Sequence, residues 1–308
     1  MTRPAPDAPL VVAGATGHVG GALVERLLLE GRRVRCIVRN PDKLGDARDA
    51  VEVVEADLHD RDALVEAFER DCVAYFLVHA LAAGGSLIDE ERALARNFAD
   101  AARTAGARRI VYLGGLVDED AADLTPHMES RIEVGRALRD SGIQAIEFRA
   151  SIVIGAGSFS FELIRRLVDL VPVIVLPDWV DNLAQPIALA DAVAYLAAAA
   201  AADIDGSIVV EIGGAEQISY RRLIETYADA VGARRATIPV PVPEAAARAA
   251  SQLAAPVAAA LPGEAQEALK LLESLRHTTV VRKGGADRFG VRPMNVDDAI
   301  RAALAISG

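Results

Sequence analysis

Three glycines, Gly14, Gly17 and Gly20 in "VVAGATGHVGGALVERLLLEG", have the spacing of a loop that holds a phosphate. Such a loop turns sharply at its first glycine and brings bare backbone against a pyrophosphate at its second. Its third lets the next helix pack closely. Thr16, Gly17, His18, Val19 and Gly20 then bring their backbone to the helix start, where unpaired N–H groups and the helix dipole favour an anion. About 20 residues on, dinucleotide-binding chains usually carry an acid for the ribose 2′-hydroxyl. This chain reads "CIVRNPDKL" there, with Arg39 at the strand end. A guanidinium suits a 2′-phosphate and Lys43 stands in the following turn, so NADP(H) is expected in preference to NAD(H). The competing reading of Arg39 is a solvated strand end. Asp57 and Leu58 close the third strand in "VVEADLHD", where Asp57 either reaches the adenine amino group or caps the next helix.

Three other side chains are candidates for acid–base work. "FLVHA" ends the fourth strand, and ligands of a doubly wound sheet sit beyond the carboxyl ends of its strands. Val78, His79 and Ala80 are therefore expected near the nicotinamide ribose. His79 is either an acid or a polar group satisfied by a neighbouring carbonyl. In "PHMESRIEVGRAL", His127 and Arg131 are four residues apart and share a helix face. A histidine can donate a proton near neutral pH, with an unperturbed pKa of roughly 6.5. An arginine can hold ribose hydroxyls but does not release a proton. The bland alternative for His127 is a solvent-facing residue at a helix start. Asp118–Glu119–Asp120 reads as a solvated acidic loop, and no residues are spaced for a metal.

The elements that must carry these groups alternate. Short β-branched runs ("LVVA", "RRVRCIVR", "AVEVVEA", "CVAYFLVHA", "RRIVYLGG", "IQAIEFRA") are separated by helical stretches such as "VGGALVERLLLEG" and "ALARNFADAARTAG". That rhythm predicts βαβ units and a parallel sheet covered on both faces. After Ser151 the rhythm loosens. "PVIVLPDWVDNLAQP" suggests an excursion from the sheet, to which "GSIVVEIGG" returns, and the tail is mostly helical. Pro241 and Pro243 argue against a central strand near them. In the Ala-rich segment that follows, Glu244, Arg248 and Gln252 form one polar stripe, the pattern of a surface helix rather than a membrane one.

Composition limits the partners. A formal charge of -11 over 308 residues, without an Arg/Lys-rich stripe, argues against nucleic acid. No apolar stretch reaches the roughly 20 residues of a membrane span. The start of the chain lacks the apolar core of a signal peptide. Cys36 and Cys72, both in strand-like runs, are expected as buried free thiols of a cytoplasmic protein. A small-molecule substrate is the remaining partner class.

The stretches "VVAGATGHVGG", "IVRNP", "VVEADLHD", "RRIVYLGGL", "ALRDSGIQAIEFRASIVIGAGS", "QPIALADAVAYL" and "EIGGAEQISYRRLIETYA" resemble the atypical and extended short-chain dehydrogenase/reductases, especially the NmrA-like NAD(P)H-binding group. The resemblance implies an α/β fold: a Rossmann-like doubly wound parallel sheet over 1–153 plus 186–213. A small, mostly helical, discontinuous substrate domain would take 154–185 plus 214–308. It also implies that Arg149, Ser151, Gly155 and Gly157 line the mouth of a cleft and that Gln185 and Pro186 lie beneath the nicotinamide. Trp179 and Asp181 are cleft-facing candidates. Working enzymes of this group carry a Ser or Thr after the fifth strand and a Tyr-x-x-x-Lys on the next helix. Here Gly114 and Gly115 replace the first, and only His127 and Arg131 match the spacing of the second. The expected function is an NADP(H)-dependent oxidoreductase acting on a small carbonyl-type substrate. The alternatives are a non-catalytic NADP(H)-sensing regulator and an epimerase or dehydratase retaining NAD, the last disfavoured by Arg39.

Overall fold

The computed structural model describes residues 8–79, 87–119, 121, 124–170, 173–233, 236–240 and 276–307. Ala80, Asp120, Pro241, Pro243, Glu244, Arg248 and Gln252 lie outside that set, as does the Trp179 side chain.

Six strands, with four α-helices between them, open the fold. They are β1 (Leu10–Ala13), α1 (His18–Leu29), β2 (Val34–Val38), β3 (Glu52–Glu55), α2 (Arg61–Ala67), β4 (Val73–Phe76), α3 (Leu87–Ala105), β5 (Arg109–Gly115), α4 (Pro126–Arg139) and β6 (Gln144–Ala150). A 3-10 segment rather than an α-helix joins β2 to β3. Then come β7 (Val153–Ile154), α5 (Phe159–Leu170), β8 (Val173–Pro177), β9 (Leu183–Ala184), β10 (Ile187–Ala188), α6 (Leu189–Ala199), β11 (Ile208–Ile212), β12 (Ile218–Ser219), α7 (Tyr220–Ala230), β13 (Ala236–Val240) and α8 (Val296–Ser307).

Seven strands pair in the order β3-β2-β1-β4-β5-β6-β11, every ladder parallel. The order reverses between β1 and β4, the kind of switch point beyond whose strand carboxyl ends ligands of such sheets bind. Central strands are apolar on both faces because helices cover both: β1 and β4 are wholly buried. One core layer joins alternate strand residues such as Val12, Tyr75, Val111 and Phe148 to α1 and α6. The opposite layer joins Val11, Ala74, Phe76 and Tyr112 to α2, α3 and α4. α1 shows how the sequence chooses its face: Gly20, Leu23, Val24 and Leu27, at helical spacing, are its buried residues.

The expected excursion is observed. β8 leaves the sheet and pairs in parallel with β13, a segment about sixty positions later in sequence. β13 contains Pro239 and belongs to a two-stranded ribbon, so no proline enters a central strand. A third core cluster gathers Ile152, Phe161, Val180, Leu223, Tyr227 and Ile300 from the later elements. Cys36 and Cys72 are free and buried, and burial pushes their thiols up to about 12 and about 11. No helix among the described residues is long and apolar enough to cross a membrane.

Candidate functional site

The phosphate-type loop has the predicted strand–turn–helix setting. Gly14 adopts φ +92°, which side chains other than glycine's rarely tolerate, and a Cβ there would lie 2.5 Å from the Leu77 carbonyl oxygen. A Cβ on Gly20 would lie 2.0 Å from the Gly14 carbonyl oxygen, which is why α1 can sit so close to β1. The Gly17 N–H closes the turn onto Gly14 O at 2.9 Å. α1 begins at His18 with Gly17 as its N-cap and no side-chain cap. The first N–H groups of α1 are thus left for an anion, and the residues present fit a dinucleotide pyrophosphate. Thr16 and Gly17 are exposed, and Val19 is half-buried. The His18 imidazole turns away from solvent to pack on Gly155 and Gly157, which have room for no side chain beside it. Burial lowers its pKa, partly offset by Glu162.

Arg39 and Lys43 are exposed just past β2, and among the described residues neither side chain makes an ion pair. Asp57 is exposed and Leu58 buried. The helix-cap reading of Asp57 is corrected: its carboxylate accepts from the His59 N–H at 2.9 Å within its own turn, and Asp60 caps α2. Asn97 from α3 ties down the Leu58 carbonyl at 3.1 Å.

The Leu77–Val78 backbone packs on Gly14, so His79 emerges beside the glycine loop. The carbonyl-satisfied reading of His79 has support, since the ring hydrogen-bonds the Val78 backbone, and its second partner is a side chain, the Arg131 guanidinium. Arg131 Nη1 donates to His79 Nδ1, with Nε2 3.3 Å away. Arg131 is inward-facing and buried, while Nη2 of the same guanidinium meets Glu91 Oε1 at 3.3 Å. The Ser130 hydroxyl donates to the other oxygen of Glu91. His79 keeps an exposed edge, yet the packed atoms around the rest of its ring, then Arg131 and His127, drive its pKa well below the ordinary histidine value. The ring is neutral near pH 7. His127 is half-buried rather than solvent-facing and lies within electrostatic reach of His79. Tyr112 brings a buried hydroxyl into this neighbourhood beside Arg131, in space that Gly114 leaves open. Burial raises its pKa and Arg131 opposes the rise.

Glu91, Ser130 and Tyr112 escaped the sequence reading. A signal existed for the first: Glu91, Leu94, Ala95 and Phe98 fall at helical spacing on one buried stripe, and an acid on an apolar stripe needs a partner.

Other expectations fare differently. Arg149 is buried and pairs with Glu147 and Glu119, each at 2.6 Å, while Arg139 also pairs with Glu147. Asp118 and Glu119 lie exposed in a loop, as expected, where Asp118 pairs with Arg282 and Glu119 with Arg136 and Arg149. Ser151 Oγ meets Thr279 Oγ1 at 2.7 Å, and the Tyr220 hydroxyl lies 3.3 Å from the same atom. Gln185 acts as a stitch, donating to Gly214 O and accepting from the Val281 N–H. Asp181 is tied to Arg221. Among the described residues no group of acids, histidines and cysteines is arranged for a metal. A surface hollow of about 640 Å³ lies between α3 and α4, lined by residues such as Arg92, Arg96 and Arg136. None of its lining belongs to the glycine loop or the His79 cluster, so it is not the cofactor crevice.

Comparison with known proteins agrees with this geometry. Residues 14–151 match a family described as NAD(P)H-binding. A (4-alkanoyl-5-oxo-2,5-dihydrofuran-3-yl)methyl phosphate reductase of Streptomyces griseus is 37% identical over 136 residues, 44% of this chain and 44% of that protein. The chain thus matches less than half the length of that relative. Citrobacter sp. triphenylmethane reductase complexed with NADP(H) superposes with a TM-score of 0.75 at 18% identity, covering 96% of this chain and 100% of the other. A nucleoside-diphosphate-sugar epimerase of Staphylococcus aureus gives 0.73 at 17% identity, covering 95% and 99%. Residues 14–151 are thus similar to an NAD(P)H-binding family, and the chain as a whole has the fold shared by these reductase and epimerase neighbours.

Proposed function

We propose that the protein is an NADP(H)-dependent oxidoreductase that reduces a small carbonyl compound or a double bond conjugated to one. The observation that carries this reading is the neutral His79, pinned by Arg131 beside an uncapped glycine-loop helix. The reductase names of the Streptomyces griseus relative and of the Citrobacter neighbour support it. Arg39 and Lys43, cations that pair with no carboxylate among the described residues, grip the 2′-phosphate, and Asp57 and Leu58 border the adenine. Val78 and His79 run along the ribose nearest the nicotinamide.

The nicotinamide, when bound, supplies the hydride. A guanidinium occupying Nδ1 leaves His79 a hydrogen-bond donor through Nε2, able to polarise a substrate oxygen as a neutral imidazole. Such a ring is a poor proton source. His127, four residues before Arg131 on α4, delivers the proton to that oxygen, while Arg131 holds His79 and releases none. Residues 1–153 plus 186–213 form the cofactor half and 154–185 plus 214–308 the substrate half, a division supported by the separate third core cluster.

The test is NADPH oxidation with a panel of aldehydes, ketones, quinones and activated alkenes, butenolides included. Turnover is expected with at least one class, and His79→Ala and His127→Ala should each lower kcat by about 10²-fold. Tight NADPH binding without turnover across the panel would overturn the reading and favour a cofactor-sensing role.

A further inference from the structure

Glu91 is the most deeply buried acid near the crevice, 3% exposed, and nothing in the proposed chemistry uses it directly. Its carboxylate is fully engaged, by the Ser130 hydroxyl at one oxygen and the Arg131 guanidinium at the other. A buried ion pair is a poor device for holding α3 against α4, because apolar residues of similar volume commonly stabilise as well or better. Nor would such a staple need a third member. Yet Arg131 extends beyond Glu91 to the end of β4 and donates into a ring nitrogen of His79. The guanidinium is planar and rigid, so fixing one of its terminal nitrogens against Glu91 sets the direction of the other. An arginine only donates; the nitrogen it meets must offer a lone pair, which puts the proton of a neutral imidazole on the opposite nitrogen.

We infer that Glu91 is a positioning residue which, through Arg131, holds His79 as the tautomer protonated at Nε2. This rests on the proposed role of His79 and adds to it the residue that sets which edge of the ring donates. Ser130 completes the arrangement by occupying the carboxylate oxygen that Arg131 leaves.

The direct test is the NMR of ring nitrogens in full-length protein labelled with 15N-histidine, with His79 assigned by its loss in His79→Gln. The wild type should show an unprotonated Nδ1 and a protonated Nε2 at neutral pH. Glu91→Gln, which keeps size but removes charge, should mix the two tautomers, and Glu91→Asp should retain the wild-type pattern in greater part. A wild-type spectrum with the proton on Nδ1 overturns the inference, as does an unchanged pattern in Glu91→Gln. If Glu91→Gln does not fold, the wild-type and Glu91→Asp spectra still decide. With a substrate in hand, Glu91→Gln should cut kcat by up to about 100-fold, the loss expected for His79→Ala, and leave NADPH affinity unchanged. The spectrum needs no turnover. An inactive protein with the expected tautomer would therefore count against the oxidoreductase reading alone, whereas an active one with the wrong tautomer would count against Glu91.

Discussion

At the residue scale, the glycine loop tolerates almost no added volume. Replacing Gly20 by alanine would drive a methyl group into the Gly14 carbonyl, with backbone on both sides of the clash. We expect Gly20→Ala to lose NADPH binding by more than about tenfold and to lower the melting temperature, read by calorimetry and thermal unfolding. The two thiols give an independent check on burial. With Cys36 raised to about 12 and Cys72 to about 11, both should stay unreactive towards a thiol reagent at pH 8 in the native protein and react fully on denaturation. Much of this scale could be read from sequence, because glycine spacing and a strand-end arginine are local signals. The His79–Arg131–Glu91 contacts could not be read that way. They join positions on β4, α4 and α3, and no local pattern states that an arginine at a helix's fourth residue from His127 turns inward to a strand end.

At the element scale, α4 does two tasks, packing on the sheet through Val134 and Leu138 while placing Arg131 against His79. Its start is fixed by Thr125, whose hydroxyl accepts from the Met128 N–H, and by Pro126 at the first helical position. Thr125→Ala should cost about 1 kcal/mol in urea unfolding, a loss that Thr125→Ser restores. Because the cap lies two residues from His127, the same alanine variant should lower kcat more than it alters NADPH affinity. The seven-strand sheet was legible, since continuous apolar runs separated by helical periods admit few other arrangements. The β8–β13 ribbon was not: its partners are far apart in the chain, and the second of them contains Pro239. The 3-10 segment between β2 and β3 also broke the expected alternation. Its "NPDKLGDARDA" is rich in turn formers and carries only one buried side chain, Leu44, too little to hold an α-helix on the sheet.

At the scale of the whole molecule, pH should act through two histidines. Burial lowers the pKa of both His18 and His79 in the folded chain. As pH falls through roughly 6.5, the unfolded chain takes up protons that the folded chain refuses, so stability is present above that pH and is lost below it. Melting temperature should therefore decline from pH 7.5 to 5.5, and His18→Gln should flatten part of the decline if its neighbours Gly155 and Gly157 still pack against it. The largest claim concerns the two ends of one ligand: a pyrophosphate on the bare backbone of residues 14–20 and a 2′-phosphate at Arg39. Titration calorimetry of the wild type and of Arg39→Asp with NADPH and NADH tests both ends together. We expect the wild type to prefer NADPH by about 10- to 100-fold, the worth of one charge-assisted contact, and Arg39→Asp to abolish or reverse that preference while still binding NADH. Equal affinity for the two cofactors in the wild type, or a preference for NADPH that survives Arg39→Asp, would contradict the account.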